Sequence, residues 1–216
     1  MKQLIVLLLI LLFTTSKTNA QHREPFYDPR DGKLYIQIEI GSQIWLQQNL
    51  DYAPTISRLY APNTKQRIYE TKPGYNTSYI YQYNDDTTLI GFGKLYTWQA
   101  AQHACPVGWH LPSVQEFEEL LKTVSGGDSK KAYTALVLGG SSDFKAVLVG
   151  NLEHGSSSSL STEPYYSGVG ESAEFWTSTE INKEKAKELF VGNHTLITTS
   201  SKDAARSVRC IKDPIE

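Results

Sequence analysis

Residues 95–121, LYTWQAAQHACPVGWHLPSVQEFEELL, hold the signals for a strand and two helices, together with a cysteine and two tryptophans. No other stretch constrains the fold as tightly. Leu95-Tyr96-Thr97 carries enough aromatic and β-branched character to pair as a strand. Trp98, Ala101 and Cys105 then recur on one stripe of a short helix, which Pro106 and Gly108 end. Ser113 and Glu116 form an S-x-x-E capping box. The apolar stripe Val114, Phe117, Leu121 and Val124 follows, until Gly126-Gly127 stops the second helix.

Before this run the chain opens on Lys2, an apolar stretch from Leu4 to Phe13, and small or polar residues up to Ala20. That is the pattern of a secretory signal peptide over residues 1–20: the stretch falls short of the about 20 apolar residues a membrane span needs, and Thr18-Asn19-Ala20 offers a cleavage site. No cysteine stands near the cleavage site, so the expectation is an exported chain in the periplasm, on the cell surface or outside the cell, neither lipid-anchored nor membrane-spanning once cleaved. The formal net charge of −2 becomes −4 when residues 1–20, with two lysines and no acid, are removed. A mildly acidic exported protein is a poor nucleic-acid binder.

The mature length, residues 21–216, fits a single domain. From Phe26 to Leu50 the pattern is a meander, with turns at Asp31-Gly32 and Gly41-Ser42 and with Ile36, Ile38 and Ile40 alternating with Gln37 and Glu39. Asp28 and Asp31 stand where turns want Asx side chains, and their spacing does not match a calcium loop. Residues 51–93, with Pro54, Pro62 and Pro73 and many tyrosines, read as an irregular insertion. Tyr79, Tyr81 and Tyr83 alternate there, either as a binding platform on a short strand or as cover for a sheet edge. Residues 132–138 fit helix or strand equally, and residues 144–149 read as a strand. Residues 150–174 are polar and glycine-rich, with a serine run at 156–159. Leu189-Phe190-Val191 and Leu196-Ile197-Thr198 predict a hairpin around Gly192-Asn193-His194, and residues 207–212 a last strand with Val208 and Cys210 on one face.

Catalytic signatures are sparse. The five histidines stand at 22, 103, 110, 154 and 194 with no H-E-x-x-H and no metal-ligand spacing, so neither a metal nor a cofactor is expected. His110 reads as a structural imidazole bonded to backbone. There is no G-x-S-x-G and no P-loop. Acids distant in sequence could still meet as a glycosidase pair, whereas Glu116, Glu118 and Glu119 read as the cap and solvent face of the second helix. Thirteen tyrosines and four tryptophans serve core packing, sheet pairing or sugar stacking, and composition does not choose among these.

Three sets of segments carry a resemblance. They are Asp28-Pro29-Arg30-Asp31-Gly32 with Ile40-Gly41-Ser42-Gln43-Ile44-Trp45-Leu46 and Asn49-Leu50; Leu95-Tyr96-Thr97-Trp98 with Ala101, Ala104 and residues 105–113, CPVGWHLPS; and Phe175-Trp176-Thr177-Ser178 with Ser207-Val208-Arg209-Cys210. The chain resembles the Fibrobacter succinogenes major paralogous domain, a family of exported bacterial proteins and modules. The resemblance implies an α+β, C-type-lectin-like fold, related to that of the formylglycine-generating enzymes, with two helices packed on small antiparallel sheets and long loops. It also implies a bond from a first-helix cysteine to one in the last strand. Cys105 and Cys210 are the only cysteines, so in an exported chain a structural disulfide between them is the first expectation, against two buried thiols or a reactive pair.

In lectin-like folds the ligand loop falls at about 150–174. The calcium motifs of such lectins are largely missing here, since Glu163-Pro164 is followed by Tyr165 and Trp176 by Thr177-Ser178. The sequence therefore reads as a non-catalytic binding or adhesion module of the bacterial envelope. Tyr165, Tyr166 and Trp176 are its candidate ligand-binding residues, for a polysaccharide or a surface protein. An envelope hydrolase using loop carboxylates, or a purely structural surface protein, is the alternative.

Overall fold

In a computed structural model of the chain, which describes residues 23–53, 58–60, 67–70, 79–82, 92–153 and 165–214, the period-two alternation at the start becomes a meander. Strands β1 (Arg23–Tyr27), β2 (Leu34–Ile40) and β3 (Gln43–Leu46) pair antiparallel in that order. Ile38 and Ile40 are buried while Glu39 is exposed, as the alternation requires, and Tyr35, on the face of Glu39, is buried in a different core. The turn between β1 and β2 is built on Asp28, whose buried carboxylate accepts from the Arg30 backbone N–H at 3.0 Å and from Arg30 Nη2 at 2.7 Å. Gly32 takes the left-handed φ of +75° that closes this turn. Asp28 is thus a turn residue. It also aims Arg30, which donates to the Ala104 carbonyl at 2.7 Å and lies over the Tyr52 ring.

Strand β8 (Trp109–His110) and strand β15 (Ile211–Lys212) complete this first sheet in the order β1-β2-β3-β15-β8. The second sheet is larger than the small sheets expected. Its strands are β4 (Arg58–Tyr60), β5 (Arg67–Glu70), β6 (Tyr79–Gln82), β7 (Leu95–Thr97), β11 (Ala173–Glu180), β12 (Lys185–Val191), β13 (Thr195–Ser201) and β14 (Ala205–Ser207). They run in the order β13-β12-β11-β14-β7-β6-β5-β4, with β9 (Asn151–Glu153) and β10 (Tyr165–Ser167) paired to one another and joined to β14 through β9. Three segments of the stretch expected as an irregular insertion are therefore strands that extend the sheet from β7. Tyr79 and Tyr81 fall on β6, and Tyr83 lies outside the described residues.

Helix α1 (Trp98–Ala101) is a single turn, shorter than the stripe to Cys105 implies, because the chain then tightens into bonds three residues long, from the His103 N–H to the Ala100 carbonyl and from the Ala104 N–H to the Ala101 carbonyl. Helix α2 (Val114–Ser125) begins on the expected capping box, with the Ser113 hydroxyl accepting from the Glu116 N–H at 3.2 Å and the Glu116 carboxylate accepting from the Ser113 N–H at 2.7 Å. Gly126 ends it in the left-handed conformation, at φ +64°. The choice left open at 132–138 falls to a helix, α3 (Ser129–Leu136), because Asp128 caps it by accepting from the Lys131 N–H. The strand expected at 144–149 does not form. Asp143 and Lys145 both take positive φ, at 59° and 51°, which breaks the extended run and leaves only bridges from Val137 to Ala146 and from Gly150 to Ala173.

The hairpin of β12 and β13 pairs in full register from Lys185↔Ser201 to Val191↔Thr195. The expected last strand is instead split between sheets, β14 in the second and β15 in the first, with Val208 and Cys210 buried in one core between them. That core contains Tyr35, Leu46, Tyr96, Trp109 and Trp176. A second core, on the opposite face of β11, gathers Trp45, Phe117, Phe144, Phe175 and Leu189, with ring centroids 5.4–5.7 Å apart along the chain of aromatics. Cys105 and Cys210 are bonded, with Cα atoms 5.9 Å apart across a separation of 105 residues. The thiol alternatives are thereby closed. The fold is α+β and mostly sheet, with three helices among the described residues rather than two.

Candidate functional site

The candidate ligand residues part company in the structure. Tyr165 and Tyr166 lie on β10 and are 54% and 37% exposed. Trp176, the fourth residue of β11, is fully buried, and its indole N–H donates to the Tyr96 carbonyl at 2.7 Å. A buried ring with its only donor satisfied has no face to offer a ligand, so Trp176 belongs to the core. Residues 154–164 between β9 and β10, including the serine run and Glu163-Pro164, lie outside the described residues.

What fixes the hairpin of β9 and β10 is a residue that no motif singles out. Arg206 on β14 is almost fully buried. Its Nε donates to Glu188 Oε2 at 2.6 Å, and its Nη2 donates to Glu153 Oε1 at 2.5 Å and to the Ser200 hydroxyl at 2.6 Å. Glu174 Oε2 lies 3.3 Å from the same Nε. One guanidinium thus collects three carboxylates from β9, β11 and β12, and it stands 5.6 Å over the Trp176 ring. The fork geometry of arginine suits such multiple acceptance. Burial and the neighbouring Glu188 charge raise the Glu174 pKa above the usual carboxylate range, with Arg206, Ser172 and Asn151 pulling the other way. No local pattern singles the group out, because its acids stand one each on separate strands, Glu153 on β9, Glu174 on β11 and Glu188 on β12.

Glu153 is the member of this group that reaches the surface, with its side chain 31% exposed. It pairs across the hairpin with Tyr165, while Leu152 pairs with Tyr166 and Asn151 with Ser167. The exposed tyrosines therefore stand on a hairpin whose base is held by the buried arginine.

Three other polar groups are structural in position. His110 does not bond to backbone through its ring, as expected, but to two carboxylates: Nε2 meets Glu116 Oε1 at 2.7 Å and Nδ1 meets Asp213 Oδ1 at 2.6 Å. These bonds raise its pKa against the opposing effect of burial. Asp51 receives both Lys33 and Lys94, closing the base of the stretch that leads to β4–β6. Arg209 is fully buried with no carboxylate beside it among the described residues, donating to the carbonyls of Gln47 and Phe144 and to the Asn49 side chain, and burial alone pushes its pKa down to about 9.

Among the described residues no three His, Cys, Asp or Glu side chains are arranged to hold a metal ion, and no helix is long and apolar enough to cross a membrane. The family model described as the Fibrobacter succinogenes major domain matches residues 38–212. The chain belongs to this family. No curated protein and no solved structure matches it. The span of the Fibrobacter succinogenes major domain takes in the disulfide, both cores, the Arg206 network and the hairpin of β9 and β10. The strand β1 and the Asp28 turn precede it.

Proposed function

We propose that this chain is an exported, non-catalytic binding module of the bacterial envelope, lectin-like in its overall plan, which contacts a polysaccharide or a surface protein through the hairpin of β9 and β10. The observation that carries this reading is the pair of exposed tyrosines on a hairpin anchored from beneath. Rings at a fixed surface position present apolar area and a polar tip at small entropic cost, which suits sugar faces and protein surfaces alike.

The hydrolase alternative gains one observation, the convergence of Glu153, Glu174 and Glu188. Against it, all three surround the same guanidinium and two are buried, whereas glycoside hydrolysis needs one protonated acid and one free carboxylate facing the substrate. The binding reading is therefore preferred.

A glycan array probed with residues 21–216, wild type and the Tyr165→Ala, Tyr166→Ala double variant, tests it. Binding by the wild type that the double variant loses supports the hairpin. Binding that the double variant keeps in full places the ligand elsewhere.

A further inference from the structure

The hairpin surface carries a charge as well as two rings. Around Arg206 stand three carboxylates, Glu153, Glu174 and Glu188, against one guanidinium. One further acceptor in the same group is orphaned: Asn151 is 7% exposed and its Oδ1 has no hydrogen-bond partner among the described residues, while the buried Glu174 Oε2 has only the ion pair with Arg206 Nε at 3.3 Å. Buried acceptors without donors are costly and uncommon. The cluster is short of positive charge and of N–H donors, and it opens to solvent at Glu153.

Glu153 and Tyr165 are direct cross-strand partners, which places their side chains on one face of the hairpin with Cβ atoms roughly 4.5–5.5 Å apart. Arg206 occupies Oε1 of Glu153, and the carboxylate has capacity to accept at its second oxygen. A ring for stacking therefore stands beside a carboxylate that can meet a cation. An acidic polymer would bring negative charge to a site that already has an excess of it. A metal ion finds no ligand set among the described residues. An ammonium group on a sugar supplies both the charge and the donors.

We propose that the hairpin selects polysaccharides bearing free amino groups, with the Tyr165 ring stacking on a sugar and the Glu153 carboxylate accepting from the ammonium beside it. This rests on the hairpin being the ligand surface and adds the ligand's chemical class.

The test is calorimetric titration of residues 21–216 with a glucosamine hexamer and an N-acetylglucosamine hexamer, below the pKa of the sugar amine. The expected result is tighter binding of the amine form by about fivefold, the scale of a part-exposed ion pair. Glu153→Gln keeps an acceptor for Arg206 while removing the charge, so it should abolish the preference, the two hexamers then binding alike. Tyr165→Ala should weaken both. Equal binding of the two hexamers overturns amine selection and leaves the hairpin reading standing. A preference that persists in Glu153→Gln overturns the role of that residue. Binding of neither hexamer overturns the proposal outright, while the glycan array with the double tyrosine variant judges the hairpin reading separately.

Discussion

Arg206 on β14 reaches across the whole width of β11 to Glu188 on β12, with the Trp176 ring beneath it and 2.6 Å between Nε and Oε2. The pair thus ties two strands that are not neighbours, and removing one partner strands the others. Arg206→Met leaves Glu174 and Glu188 buried without their counter-charge, so unfolding free energy should fall by about 3–5 kcal/mol. Urea denaturation checks this, and a loss below about 1 kcal/mol would mean that the cluster is better solvated than its burial indicates.

The tyrosine and the tryptophan once grouped together should behave oppositely. Tyr165→Ala alters an exposed ring and should change stability by less than about 0.5 kcal/mol, whereas Trp176→Ala empties a fully buried site and should cost about 3–5 kcal/mol. Thermal and urea melts of the two variants give the comparison directly. Similar losses from both would contradict the assignment of Tyr165 to the surface and Trp176 to the core.

His110 sits between Glu116 and Asp213 and makes stability depend on pH. Its folded pKa is raised, so its contribution is fully present below the unfolded value of about 6.5 and disappears as pH rises through the raised value. Glu116 is lowered, with burial opposing and the Ser113 backbone and His110 bonds prevailing. Its contribution is present above the unfolded value of about 4.3 and disappears as pH falls through the lowered one. The clasp is strongest between those two unfolded values. His110→Gln should flatten the decline of Tm on the alkaline side relative to wild type; superimposable profiles would show that the clasp does not contribute.

Reduction of Cys105–Cys210, or Cys210→Ser, should lower stability by about 2–4 kcal/mol through the loop it closes. Denaturation with and without reductant measures it. An unchanged midpoint would show that the bridge adds nothing to the packing that already holds the two segments together.

Local chemistry was legible wherever one residue type dictates one backbone state. Ser113 and Glu116 announced the start of α2, Gly126 its end, Asp28 and Gly32 the first turn, and the isoleucines of β2 their buried face. The family resemblance carried the disulfide. Failures came where distant partners decide. The left-handed backbone at Asp143 and Lys145 broke a run that looked like a strand, because neither residue type signals positive φ on its own. The tyrosine-rich stretch 51–93 hid three strands, since β4 and β5 reach the sheet only through β6, whose partner β7 follows them in the chain. The candidate site was half legible: exposed aromatics near 165 follow from local composition, whereas the burial of Trp176 and the assembly of three glutamates on Arg206 exist only once β9, β11, β12 and β14 are side by side.

The two final strands have a consequence for how the chain comes to be folded. β14 lies between β11 and β7, and β15 between β3 and β8, so the two described strands that come latest in chain order occupy interior places in both sheets. Neither sheet can close by zippering outward from the N-terminus. Assembly must wait for residues 205–212, and contacts of such long sequence separation make for slow folding. An emerging chain of this kind spends its synthesis with unpaired strand edges on either side of two vacant slots, so its exposure to aggregation and to proteases is set by the time taken to deliver one short closing segment.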